Sequence, residues 1–222
     1  GFAVKNASIE AFPSPYVQYV IALFMLLAGA NFTLHYAALR GRLGGYLRDP
    51  EFRFYLCVIL AATVGLSLLR LASGEVLGEA LVRGSVFTTI SIVTTTGFVT
   101  ENFDLWPLAG RVILVLLMFI GGCASSTGGA IKHVRILVLL KSIGSELKRL
   151  FHPRSVFPVK LGGKPVSGSI VSSIMAFIGL YMLFFVAGLL TMLLFGLDLA
   201  SAIGAAAATL GNIGPGMGAV GA

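Results

Sequence analysis

Charged residues are scarce in this sequence. They make up 11% of its 222 residues, and hydrophobic residues make up 57%. A soluble domain of ordinary composition carries about 25% charged residues. So low a charge content excludes an ordinary soluble domain and predicts a membrane protein.

The sequence also lacks the residue sets of enzyme chemistry. It contains no Ser/His/Asp set, no paired carboxylates, no P-loop and no GxGxxG pattern, so we predict a protein that is not an enzyme and holds no organic cofactor. Its two cysteines, Cys57 and Cys123, lie in separate apolar runs without a CxxC or HxxC neighbourhood. This spacing argues against a disulfide framework or a cysteine metal site.

The net charge of +7 is not spread evenly, which argues against a nucleic-acid partner and in favour of a membrane. Basic residues dominate residues 40–53 and 132–164, and Glu146 is the only acidic residue of the second stretch. By the positive-inside rule both stretches are cytoplasmic, and the intervening segment faces outside. We expect membrane lipid to surround the chain, Arg70 and Arg83 to reach the outer interface, and the acidic residues there to be solvated.

The apolar runs fall into two length classes. A span across the membrane needs ~20 residues, and the long runs reach that length: residues 16–38, 52–72 and 170–195. The short runs are typical of half-helices or re-entrant segments: residues 81–93, 108–120 and 199–210. The sequence therefore predicts three full spans and three shorter helices.

An internal repeat connects these segments. "FMLLAGAN" at residues 24–31 aligns with "LMFIGGCA" at residues 117–124, and "GFAV" at the start aligns with "GFVT" at residues 97–100. Residues 199–218 offer a third copy, with a short apolar helix followed by "GNIGPG". The unit is a long span, a short helix, a glycine-containing turn and a returning helix, so we predict an all-α membrane protein with such units around a central pore.

The turn "SIVTTTGFVT" at residues 91–100 has a physical use at membrane depth. Backbone without helical partners is tolerated there where it is buried in protein or lines a cavity, and rings of its carbonyls can replace the hydration shell of a monovalent cation. Gly97 can adopt positive φ, and the stiff threonines before it suit an extended strip. The alternative is a helix C-cap whose threonines bond back to the preceding turn.

A second unusual stretch is "GGCASSTGGAIK" at residues 121–132. Each glycine in a helix costs ~1 kcal/mol relative to alanine, so the returning helix should break here, and a flexible loop could open or obstruct the path. The alternative is close helix packing through small residues. The matching stretch of the first copy, "AGANFTLHY", has no glycine run, so we predict a break in one copy only.

Together, "SIVTTTGF", "FMLLAGANF", "GGCASSTGGAIK" and "LGNIGPG" resemble the Trk/Ktr/HKT superfamily of potassium transporters, and its Trk potassium-uptake membrane subunits most closely. The resemblance covers essentially the whole chain. It implies four linked pore units, of which this chain would hold residues 1–50 from the second, 51–165 as the third and 166–222 from the fourth. It also implies a bacterial inner-membrane protein, a homodimer and a cytoplasmic ring of nucleotide-binding regulatory subunits.

The resemblance also assigns residues to roles. The potassium-binding filter would comprise Thr95, Thr96, Gly97, Asn212, Ile213, Gly214 and, as the remnant of the second unit, Gly1. The gating loop would comprise Gly121, Gly122, Cys123, Ala124, Ser125, Ser126, Thr127, Gly128 and Gly129. Potassium would be the transported ion. The first unit, most of the second and the last returning helix are absent, so we expect this chain to be part of a longer protein.

Three functional hypotheses are consistent with these patterns. The first is a channel-like potassium uptake subunit. The second is a sodium- or proton-coupled alternating-access transporter or symporter with broken helices, which would need an ionisable group at mid-membrane. The third is a scaffold subunit whose small residues only pack helices, and whose stability no ion would change.

Overall fold

The structure is a computed structural model that describes residues 3–5, 7–152, 155 and 157–221. Its α-helices are α1 (Pro15–Gly29), α2 (Phe32–Leu39), α3 (Gly44–Arg48), α4 (Pro50–Ala72), α5 (Glu79–Val93), α6 (Leu108–Met118), α7 (His133–Phe151), α8 (Gly168–Leu194) and α9 (Leu199–Gly211). Short 3-10 helices lie at Ser8–Ala11, Phe103–Leu105 and Gly218–Val220. The all-α fold predicted from the sequence is confirmed.

Strands are confined to two small ladders in the described part of the chain. β1 (Ile120–Gly121) pairs in parallel with β2 (Ile131–Lys132), and β3 (Lys160–Leu161) pairs in antiparallel fashion with β4 (Lys164–Pro165). The parallel ladder brings the two ends of the glycine-rich stretch side by side. That stretch is therefore a closed loop and not a continuation of α6.

Two of the predicted spans are single straight elements. α4 and α8 are long and apolar enough to cross a membrane. α4 begins at a strong start signal, since Pro50 is its first residue and the Asp49 side chain accepts a 2.7 Å hydrogen bond from the amide of Phe52. Ser167 caps α8 in the same way, through the amide of Ile170 at 3.4 Å.

The first predicted span is not a single helix. The apolar run of residues 16–38 divides into α1 and α2, whose axes differ by 102°. Ala30 and Asn31 between them are extended, and the Asn31 side chain caps α2 by accepting from the amide of Thr33 at 2.9 Å. The prediction of a break in only one copy is therefore wrong, because both returning helices break within the stretches that the internal repeat had aligned.

The short helices α5 and α9 lie inside the molecule, whereas the long helix α8 lies at its periphery. α5 is buried along most of its length and packs against α1, α4 and α6. α9 is buried along one broad face and packs against α6 and α8. In α8, by contrast, only 6% of an apolar 18-residue stretch of the helix is buried. This arrangement places the ends of the two short helices, and the turns after them, in the protein interior.

Candidate ion filter and gating loop

α5 and α9 end in the same hydrogen-bonded turn. After α5, the amide of Thr95 donates to the carbonyl of Ile92 and that of Thr96 donates to Ser91, both at 2.9 Å. After α9, Asn212 and Ile213 occupy the matching positions, with amides that donate to Thr209 at 3.1 Å and to Ala208 at 2.9 Å. This pair of bonds is the Schellman motif of helix C-termini. The helix C-cap considered as the alternative for the threonine turn is therefore the actual local geometry.

Each turn also has two residues with left-handed backbone conformation, one residue apart, at matching positions. Thr95 has φ 55 and Gly97 has φ 75, and in the second turn Asn212 has φ 54 and Gly214 has φ 114. The expectation of an extended threonine strip is thus wrong at Thr95. A left-handed β-branched residue is strained by about 1–3 kcal/mol and persists only where its surroundings hold it.

The threonine hydroxyls hold this strained backbone. Thr94 Oγ1 donates to the carbonyl of Ile90 at 2.7 Å and lies 2.8 Å from Thr96 Oγ1. Thr95 Oγ1 accepts the amide of Gly129 at 2.7 Å. The three hydroxyls therefore have local partners, and their contacts fix the direction of the backbone carbonyls.

In the turn after α5, three backbone carbonyls are available to coordinate a ligand. No donor in the described part of the chain bonds to the carbonyl oxygens of Thr95, Thr96 or Gly97. The next carbonyl, that of Phe98, accepts the Ser91 hydroxyl at 2.7 Å. Carbonyl oxygens that accept no hydrogen bond are suited to coordinate a dehydrated cation.

The two turns touch each other. A Cβ added to Gly97 would lie 1.8 Å from the carbonyl oxygen of Ile213 and 2.9 Å from Cδ of Pro215. Residues that are far apart in sequence and were assigned to one filter are therefore neighbours. Only glycine allows both this approach and the left-handed φ at position 97.

The N-terminal segment of the chain also reaches this region. The carbonyl of Val99 accepts the amides of Ile9 and Glu10, each at 3.0 Å, and the amide of Val99 donates to Ser8 Oγ at 3.1 Å. These bonds place the segment of residues 8–10 beside the first turn. The remaining predicted filter residue, Gly1, lies outside the described residues.

A cavity of about 490 Å³ lies between this turn and α1. Its lining combines threonines with an apolar helix face: Val20, Ile21, Phe24, Met25, Ala28, Thr94, Thr95, Thr96, Phe98 and Thr127. The cavity joins the threonine turn to the glycine-rich loop, since Thr127 belongs to that loop.

The glycine-rich loop lies directly against both turns. A Cβ on Gly129 would lie 2.4 Å from the carbonyl oxygen of Gly211, and one on Gly128 would lie 3.1 Å from that of Thr94. These contacts place the loop beneath the C-terminal ends of α5 and α9. Gly129 is needed here because a larger residue would collide with a backbone oxygen, whereas a Cβ at Gly128 would make only a tight contact.

The bend between α1 and α2 supplies partners for the same loop. The amide of Cys123 donates to the carbonyl of Gly29 at 2.8 Å, and that of Thr127 donates to Ala28 at 3.4 Å. The last turn of α1 thus exchanges helical bonds for bonds to the loop. The sequence signal for this contact was the alignment of the two returning helices, although the apolar composition concealed the bend.

Buried charges near the loop were missed by sequence reasoning. Glu51 is 5% exposed, and its carboxylate accepts the backbone amides of Ala124 in the loop and of Val134 in the first turn of α7. Lys132 donates to Ser126 and Gly128 within the loop. An acidic residue at the start of an apolar span was the available signal, because ionisable residues in membrane segments are rare and usually paired.

A second charged cluster lies at the C-terminal end of α4. Arg70 is 5% exposed, pairs with Glu75 and Glu101 at 2.8 Å each, and stacks over the Trp106 ring at 4.4 Å. Burial raises the pKa of Glu101, although the hydrogen bonds and charge of Arg70 oppose that rise. The expectation that Arg70 reaches the interface and Glu101 is solvated is therefore wrong. The cluster holds in place the segment that comes after the turn at the end of α5.

Comparison with known proteins gives consistent matches over the chain. The sequence model of the family described as "TrkH: Cation transport protein" matches residues 1–222. The Trk system potassium uptake protein TrkH of Escherichia coli (strain K12) is 41% identical over 223 residues, covering 99% of this chain and 46% of that protein. TrkG of the same strain is 34% identical over 220 residues, covering 99% of this chain and 45% of that protein.

A solved structure is also similar. The crystal structure of the potassium transporter TrkH from Vibrio parahaemolyticus superposes with a TM-score of 0.93 at 39% identity, covering 99% of this chain and 48% of that one. The chain therefore spans about half the length of the relatives that it matches.

Proposed function

The chain belongs to the TrkH family of cation transport proteins, and from this premise we propose that it contributes part of a potassium-conducting pore in a channel-like uptake subunit. The family membership confirms the resemblance found in the sequence. It also identifies the chain as a multi-pass protein of the inner membrane, in agreement with its apolar helices. The relatives are named for potassium uptake and not for an enzymatic reaction.

The proposed filter consists of the two matched turns after α5 and α9. The observation that carries it is the shared backbone geometry, in which Thr95 and Asn212, and likewise Gly97 and Gly214, are left-handed. Alternation of this kind turns successive carbonyls toward one side, and carbonyl oxygens can replace the water around a monovalent cation. The negative ends of α5 and α9 would add favourable potential for that cation.

The proposed units match the repeated order of elements. Residues 1–50 would end the second pore unit, residues 51–165 would form the third, and residues 166–222 would begin the fourth. The order span, short helix and turn in α4 and α5 recurs in α8 and α9, which supports this division. Further units around the same axis would complete the ring of carbonyls.

We propose that residues 121–129 form the gate. The loop contacts both turns through Gly128 and Gly129 and is held by backbone bonds to α1. A loop in that place would obstruct a cation leaving the filter. Its displacement would open the path without altering the filter carbonyls.

The proposed partners are inferred from the family resemblance and the charge pattern. The basic stretch of residues 132–164 would contact a cytoplasmic ring of nucleotide-binding subunits, and two copies of the full-length protein would form a homodimer. α8 leaves large apolar side chains exposed, Leu183 and Phe184 among them. Lipid contact explains such a surface on a membrane helix.

Uptake of rubidium into proteoliposomes that contain the full-length protein tests the function. The proposal expects rubidium uptake down its gradient that potassium competes for and that choline does not. Uptake that requires a sodium or proton gradient would instead establish coupled alternating access. If no cation is taken up, and potassium, sodium and choline salts give the same melting temperature, the scaffold hypothesis is the correct one.

A further inference from the structure

Glu51 is a buried carboxylate in a position where the fold gives it a specific geometry. It lies in the first turn of α4 and is 5% exposed. The preceding cap residue Asp49 and the helix-starting Pro50 fix that turn. The side chain of Glu51 is therefore directed by a rigid helix start.

A single oxygen of Glu51 connects two separate backbone segments. Its Oε1 accepts the amide of Ala124 at 2.6 Å and the amide of Val134 at 3.0 Å. Ala124 lies in the first half of the glycine-rich loop, and Val134 lies in the first turn of α7, directly after β2. The carboxylate thus joins the start of the loop to the helix that comes after it.

Lys132 holds the middle of the loop as a hydrogen-bond donor, whereas Glu51 is an acceptor. Its Nζ donates to Ser126 Oγ at 3.1 Å, to the Ser126 carbonyl at 3.3 Å and to the Gly128 carbonyl. Lys132 also attracts the Glu51 carboxylate electrostatically. Glu51 accepts the loop amide of Ala124, while Lys132 donates to loop carbonyls, so each charge binds backbone groups of the opposite polarity.

We propose that Glu51 is a positioning residue that clamps the loop of residues 121–129 in its closed place beneath the candidate filter. The proposal rests on the proposed function, in which that loop is the gate. Hydrogen bonds to a charged partner are roughly twice as strong as neutral ones. Opening the loop must break the bond from the Ala124 amide, while the bond from Val134 keeps the carboxylate fixed against α7, and so the carboxylate biases the protein toward the closed state.

The variant Glu51→Gln separates charge from shape. Its amide oxygen can occupy the place of Oε1 and accept the same amides, but without the negative charge. We expect rubidium uptake per folded protein to rise roughly fivefold, with an unchanged preference for rubidium over sodium. Lys132→Gln, which removes the bonds to the loop carbonyls, should change uptake in the same direction.

Glu79→Gln is the matched control. Glu79 is an exposed carboxylate in the first turn of α5 whose ion-pair partner is Arg83, so the same chemical change there should leave uptake unaltered. A residue needed only for folding would lower the amount of folded protein and the uptake together. The clamp predicts a rise, which that structural role would not produce.

Deletion of residues 125–127 in the full-length protein provides the decisive comparison. If Glu51 acts through the loop, the deletion raises uptake by itself and Glu51→Gln adds nothing in the shortened background. A deletion that raises uptake while Glu51→Gln leaves the intact protein unchanged overturns the clamp and preserves the gate. A rise from Glu51→Gln that persists in full after the deletion also overturns the clamp. A deletion without effect overturns the gate and the clamp together, and wild-type protein without rubidium uptake overturns the proposed function itself.

Discussion

The hydroxyl oxygen of Thr95 accepts a hydrogen bond from the backbone amide of Gly129, with 2.7 Å between the two atoms. Thr95 belongs to the candidate filter and Gly129 to the candidate gate, so one bond connects the two proposed parts of the pathway. Thr95 is also left-handed, with φ 55. The contact helps to hold a strained residue, which links the shape of the filter to the position of the loop.

Replacing Thr95 tests this connection. Thr95→Val removes the acceptor and leaves the Gly129 amide without its partner, which costs about 1–3 kcal/mol in the closed state. Thr95→Ser keeps a hydroxyl at the same place. We expect the valine variant to raise rubidium uptake roughly tenfold and the serine variant to match the wild type. Equal uptake by the two variants would show that the bond does not hold the loop.

Gly97→Ala tests the contact between the two turns. Its Cβ would lie 1.8 Å from the carbonyl oxygen of Ile213, so both turns must move. We expect rubidium uptake to fall by at least about tenfold, since a displaced carbonyl no longer fits a dehydrated ion. Gly74→Ala is the control, because Gly74 is also left-handed, at φ +98, but has no atom within 4 Å of its Cβ position. Uptake by Gly97→Ala equal to that of the control contradicts the filter assignment.

Gly129→Ala tests the seat of the loop. Its Cβ would lie 2.4 Å from the carbonyl oxygen of Gly211, so the closed position becomes unfavourable while the open one is unaffected. We expect uptake to rise severalfold with unchanged ion preference. Gly144→Ala on α7, where nothing lies within 4 Å, should behave as wild type. A fall in uptake for Gly129→Ala, at normal levels of folded protein, would exclude a gate at this position.

Asp198 predicts a pH-dependent contribution to stability. Its Oδ2 accepts the amides of Ala200 and Ser201 at 3.1 Å each, and the Ser201 hydroxyl donates to Oδ1 at 2.5 Å. The hydrogen bonds from Ser201 lower the pKa of this carboxyl below its ordinary value. A lowered pKa means that the stabilisation is present at neutral pH and is lost as the pH falls through the folded-state value.

Asp198→Ala should therefore lower the melting temperature at neutral pH, and the difference from wild type should shrink in acid. Asp198→Asn keeps an N-cap oxygen at every pH, so its melting temperature should lack this part of the acid dependence. A pH-independent difference between wild type and Asp198→Ala would show that the charge of the cap contributes nothing.

Local signals in the sequence located the proposed filter because the relevant information is local. Gly97 and Gly214 stand where a chain must leave a short helix with positive φ, and both the helix lengths and the glycines are visible in the sequence. The left-handed Thr95 was not predictable in the same way. Its own preference opposes that conformation, which the fold maintains through matched hydrogen bonds and the contact to Gly129.

The bend after Gly29 illustrates a nonlocal cause. The run of residues 16–38 is predominantly apolar, so its composition favours one long helix. The carbonyls of Ala28 and Gly29 instead accept amides of Thr127 and Cys123, which come from a different repeat. The one sequence signal for this bend was the alignment of "FMLLAGAN" with "LMFIGGCA".

The charged side chains show the same limit. Glu51 and Arg70 lie near opposite ends of the apolar helix α4, and a single sequence does not reveal their partners. Those partners are brought in by packing, as Ala124 and Val134 are for Glu51 and Glu101 is for Arg70. Sequence reasoning could mark these residues as unusual, but their roles depended on the fold.

The central claim is that backbone carbonyls of the two matched turns bind a dehydrated monovalent cation. The most direct measurement is a structure of the full-length protein in rubidium, with the ion located by anomalous scattering. We predict a peak at coordination distance from the carbonyls of residues 95–97 and 212–214. A bound rubidium ion elsewhere, with these carbonyls turned away from it, would contradict the filter assignment.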